Sequence, residues 1–304
     1  MSGRLRTIFM GTPAIAVPAL RVTHELTELT LVVSQPDRPA GRGQHLQPSA
    51  VARAASALAV PLWQPETLKG HGLDARLGCD LIIVMAYGEL LRQELLDRPT
   101  HGCLNLHASL LPRWRGASPL QAALRAGDAE TGVTVMRMVR ALDAGPVYAR
   151  RVLPLSETTT LPELHDAMAE AAGAALRAVV LDWPLPEPAA QDAALVTMCR
   201  KLTPADGQLR FTATMLELCR WVRAYTPTPG CWVPVGGERL RILALAPRPG
   251  ITDLAPAVVA VADGDLVIGC GDGAVAVTWL QPPGKRPMGA GDFLNGHRLP
   301  ERVD

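Results

Sequence analysis

The chain has 304 residues, of which 48% are hydrophobic and 19% are charged. This composition excludes a disordered chain, and the length favours two domains with one core each. The 30 basic and 29 acidic side chains leave a net charge of +1, which excludes a strong global field for nucleic acid. Any RNA contact must therefore come from local groups of basic residues.

The N-terminal stretch from Met1 to Met10 contains too few apolar residues for the apolar region of a secretory signal. No apolar run in the sequence reaches membrane-spanning length. The six cysteines form no close pair, which argues against a zinc site and a disulfide framework. We therefore expect a location in the reducing cytoplasm and no requirement for a membrane or a metal. A monomer is also expected.

The first half of the chain alternates short apolar runs with helical patterns. Strands are predicted at 7–10, 31–34, 81–86 and 103–106, and helices at 14–22, 49–59, 91–97 and 119–126. Two more strands are predicted at 133–138 and 147–153, and a capping box at 160–163 opens a long helix toward Val180. This order predicts an α/β fold over residues 1–183, a Rossmann-like domain with a parallel-rich sheet.

A proline-dense stretch at 182–191 has the extended, semi-rigid character of an interdomain connector. A helix is predicted around 214–225, followed by strands at 231–235, 240–246, 258–262, 266–270 and 275–280. Two Asp-Gly pairs between strands, at 263–264 and 272–273, are typical of tight hairpins. We therefore assign 184–204 as a linker and 205–304 as a small C-terminal β-barrel of the oligonucleotide-binding (OB-like) type.

The segment 103–112, CLNLHASLLP, combines a predicted strand with polar side chains. Asn105 and His107 are two residues apart, so on a strand they point to the same side, while Leu104 and Leu106 face the other. They lie at the carboxyl end of the strand, where open α/β sheets place their ligand crevice. The spacing alone is equally typical of a buried hydrogen-bonded pair, and both interpretations stay open at this point.

The longer segment NLHASLLPRWRGASP at 105–119 resembles the active-site segment of the folate-dependent formyltransferase family, and its SLLPRWRG part resembles the branch that acts on methionyl-tRNA. Further similarities lie at 7–16, in the inserted loop QPDRPAGRG at 35–43, in LDAGP at 142–146 and in the C-terminal stretch 284–296. The resemblance therefore covers essentially the whole chain.

This resemblance implies an enzyme that transfers the formyl group of 10-formyltetrahydrofolate to the α-amine of initiator methionyl-tRNA without a metal. It also implies the catalytic roles. Asn105 and His107 stabilise the oxygen that gains charge, and Asp143 orients His107 and relays the amine proton. Without the resemblance, the Asp-Ala-Gly-Pro sequence at 143–146 would be read as an ordinary turn.

The same resemblance assigns binding residues. Ser109, Leu110, Leu111 and Pro112 are expected to shape the folate cleft, with Tyr87 and Gly88 as further wall residues. The loop at 35–48 is long for a connection without secondary structure, so we expect a mobile arm that orders on the substrate. Its Arg38 and Arg42 are expected to contact tRNA, together with the C-terminal domain.

Three alternatives remain. The same catalytic residues would suit a formyltransferase acting on an amino sugar, although the C-terminal domain and the loop at 35–43 argue against it. A nucleotide-cofactor oxidoreductase would need a G-x-G-x-x-G sequence after the first strand, where only Gly11 followed by Pro13 is present. A nucleic-acid-binding protein with an inactive α/β domain is the third alternative.

Overall fold

The computed structural model describes residues 4–40, 45–71, 74–298 and 300–303. The chain divides into two compact units. Unit 1 comprises Met1–Pro119, Glu130–Pro154 and His165–Cys199, and unit 2 comprises Leu120–Ala129, Leu155–Leu164 and Arg200–Asp304.

The strands fall in two groups, one in each unit. Those of unit 1 are β1 (Arg6–Gly11), β2 (Glu28–Val33), β3 (Arg38–Ala40), β4 (His45–Gln47), β5 (Leu62–Trp63), β6 (Leu81–Met85), β7 (Cys103–His107), β8 (Arg115–Gly116), β9 (Glu130–Arg137), β10 (Val147–Pro154) and β11 (Met198–Cys199). Those of unit 2 are β12 (Cys231–Val235), β13 (Glu238–Arg248), β14 (Val259–Ala262), β15 (Asp265–Cys270), β16 (Gly273–Gln281) and β17 (Met288–Gly289).

The helices are α1 (Val17–Leu26), α2 (Ala50–Ala57), α3 (Gln93–Leu96), α4 (Pro119–Ala126), α5 (Leu161–Leu181), α6 (Met215–Tyr225) and α7 (Ala290–Gly296). Short 3-10 helices cover Ala14–Ala16, Ala75–Leu77, Ala193–Leu195 and Pro204–Gly207. Among the described residues, no helix combines the length and the apolarity needed to cross a membrane.

Within the described part of unit 1, the main sheet has the strand order β10-β9-β7-β6-β1-β2-β5. The strands from β7 to β5 pair in parallel, whereas β9 and β10 pair antiparallel at one edge. The central strand β6 (LIIVM) is buried along its whole length, as expected for a parallel strand covered on both faces. The predicted parallel-rich α/β fold is confirmed, and β7 lies inside the sheet. Its carboxyl end lies at the edge where open α/β sheets generally place a ligand crevice.

The inserted loop departs from the prediction. We expected no secondary structure at 35–48, but β3 and β4 pair as a short antiparallel ladder, with Arg38 opposite Gln47. A side chain from outside the loop anchors its base, because Gln64 Nε2 donates to the Gln35 carbonyl at 2.9 Å and to Asp37 Oδ1 at 2.8 Å. Residues 41–44, including Arg42, lie outside the described residues.

The described part of unit 2 is built on a sheet of strand order β12-β13-β16-β15-β14, with β17 paired to β16. The predicted turn at Asp263-Gly264 joins β14 and β15, and both residues have positive φ, 54° and 84°. Helix α6 packs on the core through the buried Leu218 and Val222. The predicted β-rich C-terminal domain is confirmed, and α7, with Phe293 buried, is an addition that the sequence pattern did not predict.

Candidate active site

Asn105 and His107 lie on β7 between β6 and β9. Asn105 is opposite Val84 on one side and Met136 on the other, and Leu104 and Leu106 are buried. Because β7 is a regular strand, the alternation predicted from the sequence applies, and Asn105 and His107 share one face. The Asn105 side chain is half-buried and has no hydrogen-bond partner among the described residues.

The His107 ring is 7% exposed, and one of its nitrogens is committed to the backbone. Nε2 lies 2.9 Å from the Trp114 carbonyl oxygen. A carbonyl only accepts, so Nε2 carries the proton and donates it. Nδ1 is then left facing Asp143 and is the position where a second proton would make the ring cationic.

Asp143 meets this edge of the ring from the loop between β9 and β10. Its Oδ2 lies 3.7 Å from His107 Nδ1, and its side chain is 11% exposed. The same oxygen accepts the Gly116 N–H at 2.8 Å. Asp143 has a φ of 49°, a left-handed conformation that Asp tolerates better than most residues. The structure therefore brings together a histidine and a carboxylate that are 36 positions apart in the sequence.

Two glycines are required for this arrangement. Gly116 has a φ of 121°, and a Cβ there would collide with the Cys199 carbonyl oxygen. A Cβ on Gly145, two residues after Asp143, would collide with the Arg137 carbonyl oxygen. Side chains at either position would displace the backbone that holds the Asp143 carboxylate.

The segment after the proline-dense stretch forms part of this site, which sequence reasoning missed. Strand β11 pairs in parallel with β8, and the Ala117 N–H donates to the Cys199 carbonyl at 3.0 Å. Thr197 Oγ1 accepts the Trp114 N–H at 2.8 Å, and the Thr197 carbonyl accepts the Arg115 N–H at 2.9 Å. Residues 197–199 therefore fix the loop that carries the His107 partner Trp114. No periodicity in the sequence indicates where such an extended segment docks.

The candidate folate residues at 109–112 follow directly after His107. Ser109 is fully buried, and its hydroxyl donates to the Arg113 carbonyl at 2.6 Å. Leu111 is buried as well, and its N–H donates to Thr134 Oγ1 at 3.0 Å. Leu110 and Pro112 are half-buried. The Ser109 and Leu111 side chains therefore define the shape of the loop from inside, and the half-buried pair is better placed for contact with a ligand.

Tyr87 and Gly88 follow β6 at the same edge of the sheet. Tyr87 is 2% exposed, and its carbonyl accepts the Thr12 hydroxyl at 2.8 Å. Burial, assisted by the charge of Glu89, raises the pKa of Tyr87 to about 12, so the phenol is neutral at physiological pH. Gly88 has a φ of 99°, which favours glycine. Arg38 is exposed on β3.

In the part of the chain that the structure describes, metal-ligating side chains do not cluster near these residues. Across the described ranges 4–40, 45–71, 74–298 and 300–303, no group of three or more His, Cys, Asp or Glu side chains is arranged to hold a metal ion. The cysteines at 79, 103, 199, 219, 231 and 270 are free thiols.

The chain is similar to known proteins over nearly its whole length. Residues 11–180 match the formyl transferase family model, and residues 201–298 match the model of the formyl transferase C-terminal domain. The methionyl-tRNA formyltransferase of Granulibacter bethesdensis is 44% identical over 99% of this chain and 96% of its own length. That of Paracoccus denitrificans is 43% identical over 99% of this chain and 100% of its own length.

Among solved structures, HypX from Aquifex aeolicus in complex with tetrahydrofolic acid is similar in fold, with a TM-score of 0.62 at 17% identity. The similarity covers 99% of this chain and 51% of HypX, so this chain spans about half the length of that protein. With both domain models matched in order along one chain, and relatives similar over nearly their full length, this protein belongs to the formyl transferase family.

Proposed function

We propose that this protein is an enzyme that transfers the formyl group of 10-formyltetrahydrofolate to the α-amino group of methionyl-tRNA, for the initiation of translation in the cytoplasm. The observation that carries the proposal is the His107–Asp143 pair beside Asn105 at the carboxyl end of β7. Curated relatives that are 42–44% identical over 97–99% of this chain are named methionyl-tRNA formyltransferase. None of the three alternatives has comparable support.

The residues present fit a folate formyl donor. The donor supplies an activated formyl group whose oxygen gains negative charge as an amine adds to the carbon. Asn105 offers an amide that has no partner among the described residues, and such a donor is suited to that oxygen. Gly88 at the neighbouring strand end leaves the backbone open, since its nearest neighbour to an added Cβ is Gln35 Cγ at 3.7 Å. Ser109 to Pro112, Tyr87 and Gly88 are the proposed folate-binding residues.

His107 and Asp143 divide the remaining work. With Nε2 donating to the Trp114 carbonyl, a proton gained on Nδ1 makes the ring an imidazolium whose charge stabilises the developing oxyanion. The Asp143 carboxylate, 3.7 Å away, stabilises that imidazolium. The same carboxylate is the proposed acceptor for the proton of the attacking amine. It passes that proton, directly or through water, to the folate nitrogen as the bond between this nitrogen and the formyl carbon breaks. Asn105, His107 and Asp143 are thus the proposed catalytic residues.

Recognition of tRNA is assigned to separate parts of the chain. In this proposal residues 1–183 form the catalytic domain, 184–204 the linker and 205–304 the tRNA-binding domain, with the protein acting as a monomer. Arg38, exposed on β3, and Arg42 in the same insertion are the proposed phosphate contacts. Local arginines are needed for this role because the net charge of the chain is only +1.

The experiment is a formylation assay with purified protein and 10-formyltetrahydrofolate. Methionyl-tRNA, free methionine and a nucleotide-linked amino sugar are offered in parallel, with and without a chelator. We expect formyl-methionyl-tRNA as the product and no effect of the chelator. A formylated amino sugar with no reaction on methionyl-tRNA would reject the proposed acceptor, and tRNA binding without formyl transfer would reject the enzyme.

A further inference from the structure

Gln191 lies at the end of the proline-dense stretch, and both the nitrogen and the oxygen of its side-chain amide form hydrogen bonds with residues of the candidate active site. Its Nε2 donates to the Asp143 carbonyl at 2.9 Å and to the Gly145 carbonyl at 2.7 Å. Its Oε1 accepts from Arg115 Nε at 3.0 Å and Nη2 at 2.7 Å. Both amide hydrogens and the amide oxygen therefore have partners, on the two loops that meet at the Asp143 carboxylate.

The amide can adopt only one orientation here. A flipped side chain would place its oxygen against two carbonyl oxygens and its NH2 group against the Arg115 donors, and both contacts would be repulsive. The backbone of the same stretch is also fixed, because Val147 and Ala189 exchange hydrogen bonds of 2.7 and 2.9 Å. Gln191 is therefore a specific bridge and not a casual contact of a linker side chain.

The bridged segments are the ones that define the position of the carboxylate. Arg115 precedes Gly116, whose N–H holds Asp143 Oδ2 at 2.8 Å. Asp143 itself has a left-handed φ of 49°, a conformation that costs free energy for a residue other than glycine even though Asp tolerates it better than most, so surrounding contacts help to hold it. Gln191 supplies such contacts to Asp143 and Gly145 from outside their loop.

We propose that Gln191 is a positioning residue for the reaction: it fixes the Asp143 carboxylate against His107 Nδ1 and the Gly116 N–H, and it thereby sets the rate of formyl transfer. This inference rests on the proposed function for its kinetic part. Its geometric part concerns the free protein and stands apart from any substrate.

The kinetic test uses Gln191→Glu and Gln191→Met. The first keeps the shape and an oxygen for Arg115 but sets an oxygen against two carbonyls, and the second removes every hydrogen bond. Because misplacing a catalytic group by about 1 Å costs roughly 100-fold, we expect kcat to fall roughly 10- to 100-fold in both, with KM for methionyl-tRNA unchanged. Asp192→Ala, which alters only the exposed cap of the next turn, is the matched control and should keep wild-type kinetics.

A double-mutant cycle separates positioning from general weakening of the fold. If Gln191 acts through Asp143, Gln191→Met should cause no further loss of kcat in an Asp143→Ala background. Losses that multiply in the double variant would overturn the proposal, as would wild-type kcat in both Gln191 variants. Thermal unfolding of each variant verifies that the kinetic constants compared are those of folded proteins. If Gln191→Met does not fold, Gln191→Glu takes its place in the double-mutant cycle.

The geometric test needs no substrate. The Gly116 amide proton, which donates to the Asp143 carboxylate, is followed by NMR in the free wild type and the variants. We expect its resonance to move upfield in both Gln191 variants and to stay in place in Asp192→Ala. An unmoved Gly116 resonance would reject the inference whether or not the protein formylates methionyl-tRNA, and a wild type inactive on methionyl-tRNA would reject the proposed function alone.

Discussion

Replacing Asp143 by Asn tests the charge of the catalytic carboxylate with little change in shape. In the wild type, the Gly116 N–H donates to Asp143 Oδ2 at 2.8 Å. The Asn side chain keeps an oxygen that can accept this hydrogen bond, but the side chain carries no charge. Asp143 Oδ2 and His107 Nδ1 are 3.7 Å apart, with side chains 11% and 7% exposed. At this separation opposite unit charges attract by about 4 kcal/mol if the effective dielectric constant is about 20.

That attraction sets the size of the expected effect. Each 1.36 kcal/mol changes a rate about tenfold, so loss of the full attraction corresponds to about a thousandfold lower turnover. The amide dipole of Asn recovers part of it, and we therefore expect kcat for Asp143→Asn to fall by roughly 100- to 1,000-fold. KM for methionyl-tRNA should change little, because the charge matters mainly when His107 becomes cationic in the transition state.

The assay is steady-state formylation of methionyl-tRNA over a range of tRNA concentrations. Asp166→Asn is the matched control, since the exposed Asp166 carboxylate lies 3.5 Å from the half-buried His165 Nδ1, outside the candidate site. It should leave kcat and KM as they are. Near-normal turnover of Asp143→Asn, or a loss confined to KM, would refute the assigned role of the carboxylate.

Asn105→Ala removes one donor to the developing oxyanion and should lower kcat by roughly 10²- to 10³-fold, as measured by turnover. Folate binding, measured by equilibrium titration, should be retained. Weakened folate binding with normal kcat would contradict the role of Asn105. Arg38→Ala should flatten the slope of log KM for tRNA against log salt by roughly one unit, and an unchanged slope would make Arg38 an ordinary solvated side chain. Asp206 pairs with Arg200, and this pairing holds the pKa of the carboxyl below its usual range. A depressed pKa stabilises the fold above the unfolded-state pKa and loses that effect as pH falls through the folded-state pKa. Asp206→Asn should therefore lower the free energy of unfolding at neutral pH. In denaturant titrations, the difference from wild type should shrink below about pH 4. A difference that is independent of pH would contradict the charge effect.

The sequence predicted those features of the site that depend on local pattern. Asn105 and His107 are predicted to share one face because side chains on a strand alternate with a period of two. In the structure, residues 103–107 form such a strand. The approach of Asp143 to His107 was available only from the family resemblance, because periodicity says nothing about which loop meets a strand end. Neither the periodicity of the sequence nor the family resemblance predicted the hydrogen bonds of Gln191. A proline-dense stretch predicts an extended backbone but not the position at which this backbone docks.

Two differences in the fold have similar causes. The β3–β4 ladder forms within a segment rich in proline and glycine, where the stabilising contacts come from the distant Gln64. Helix α7 carries Gly291 and Gly296, so its sequence has little helical propensity, and the burial of Phe293 stabilises it instead. In both places tertiary contacts outweigh local preference.

The pairing of residues 115–117 with 197–199 determines where this polypeptide can be divided. A chimera joined inside the proline-dense stretch would receive Thr197 and Cys199 from a foreign sequence, and the loop bearing Trp114 would depend on whether that sequence can form the same parallel pair. A junction placed after Cys199 would transfer the loop together with its support. Exchange of C-terminal segments between relatives, in the laboratory or by recombination, should therefore yield working catalysts more often when the crossover lies beyond Cys199 than when it lies at Pro184 or Pro186.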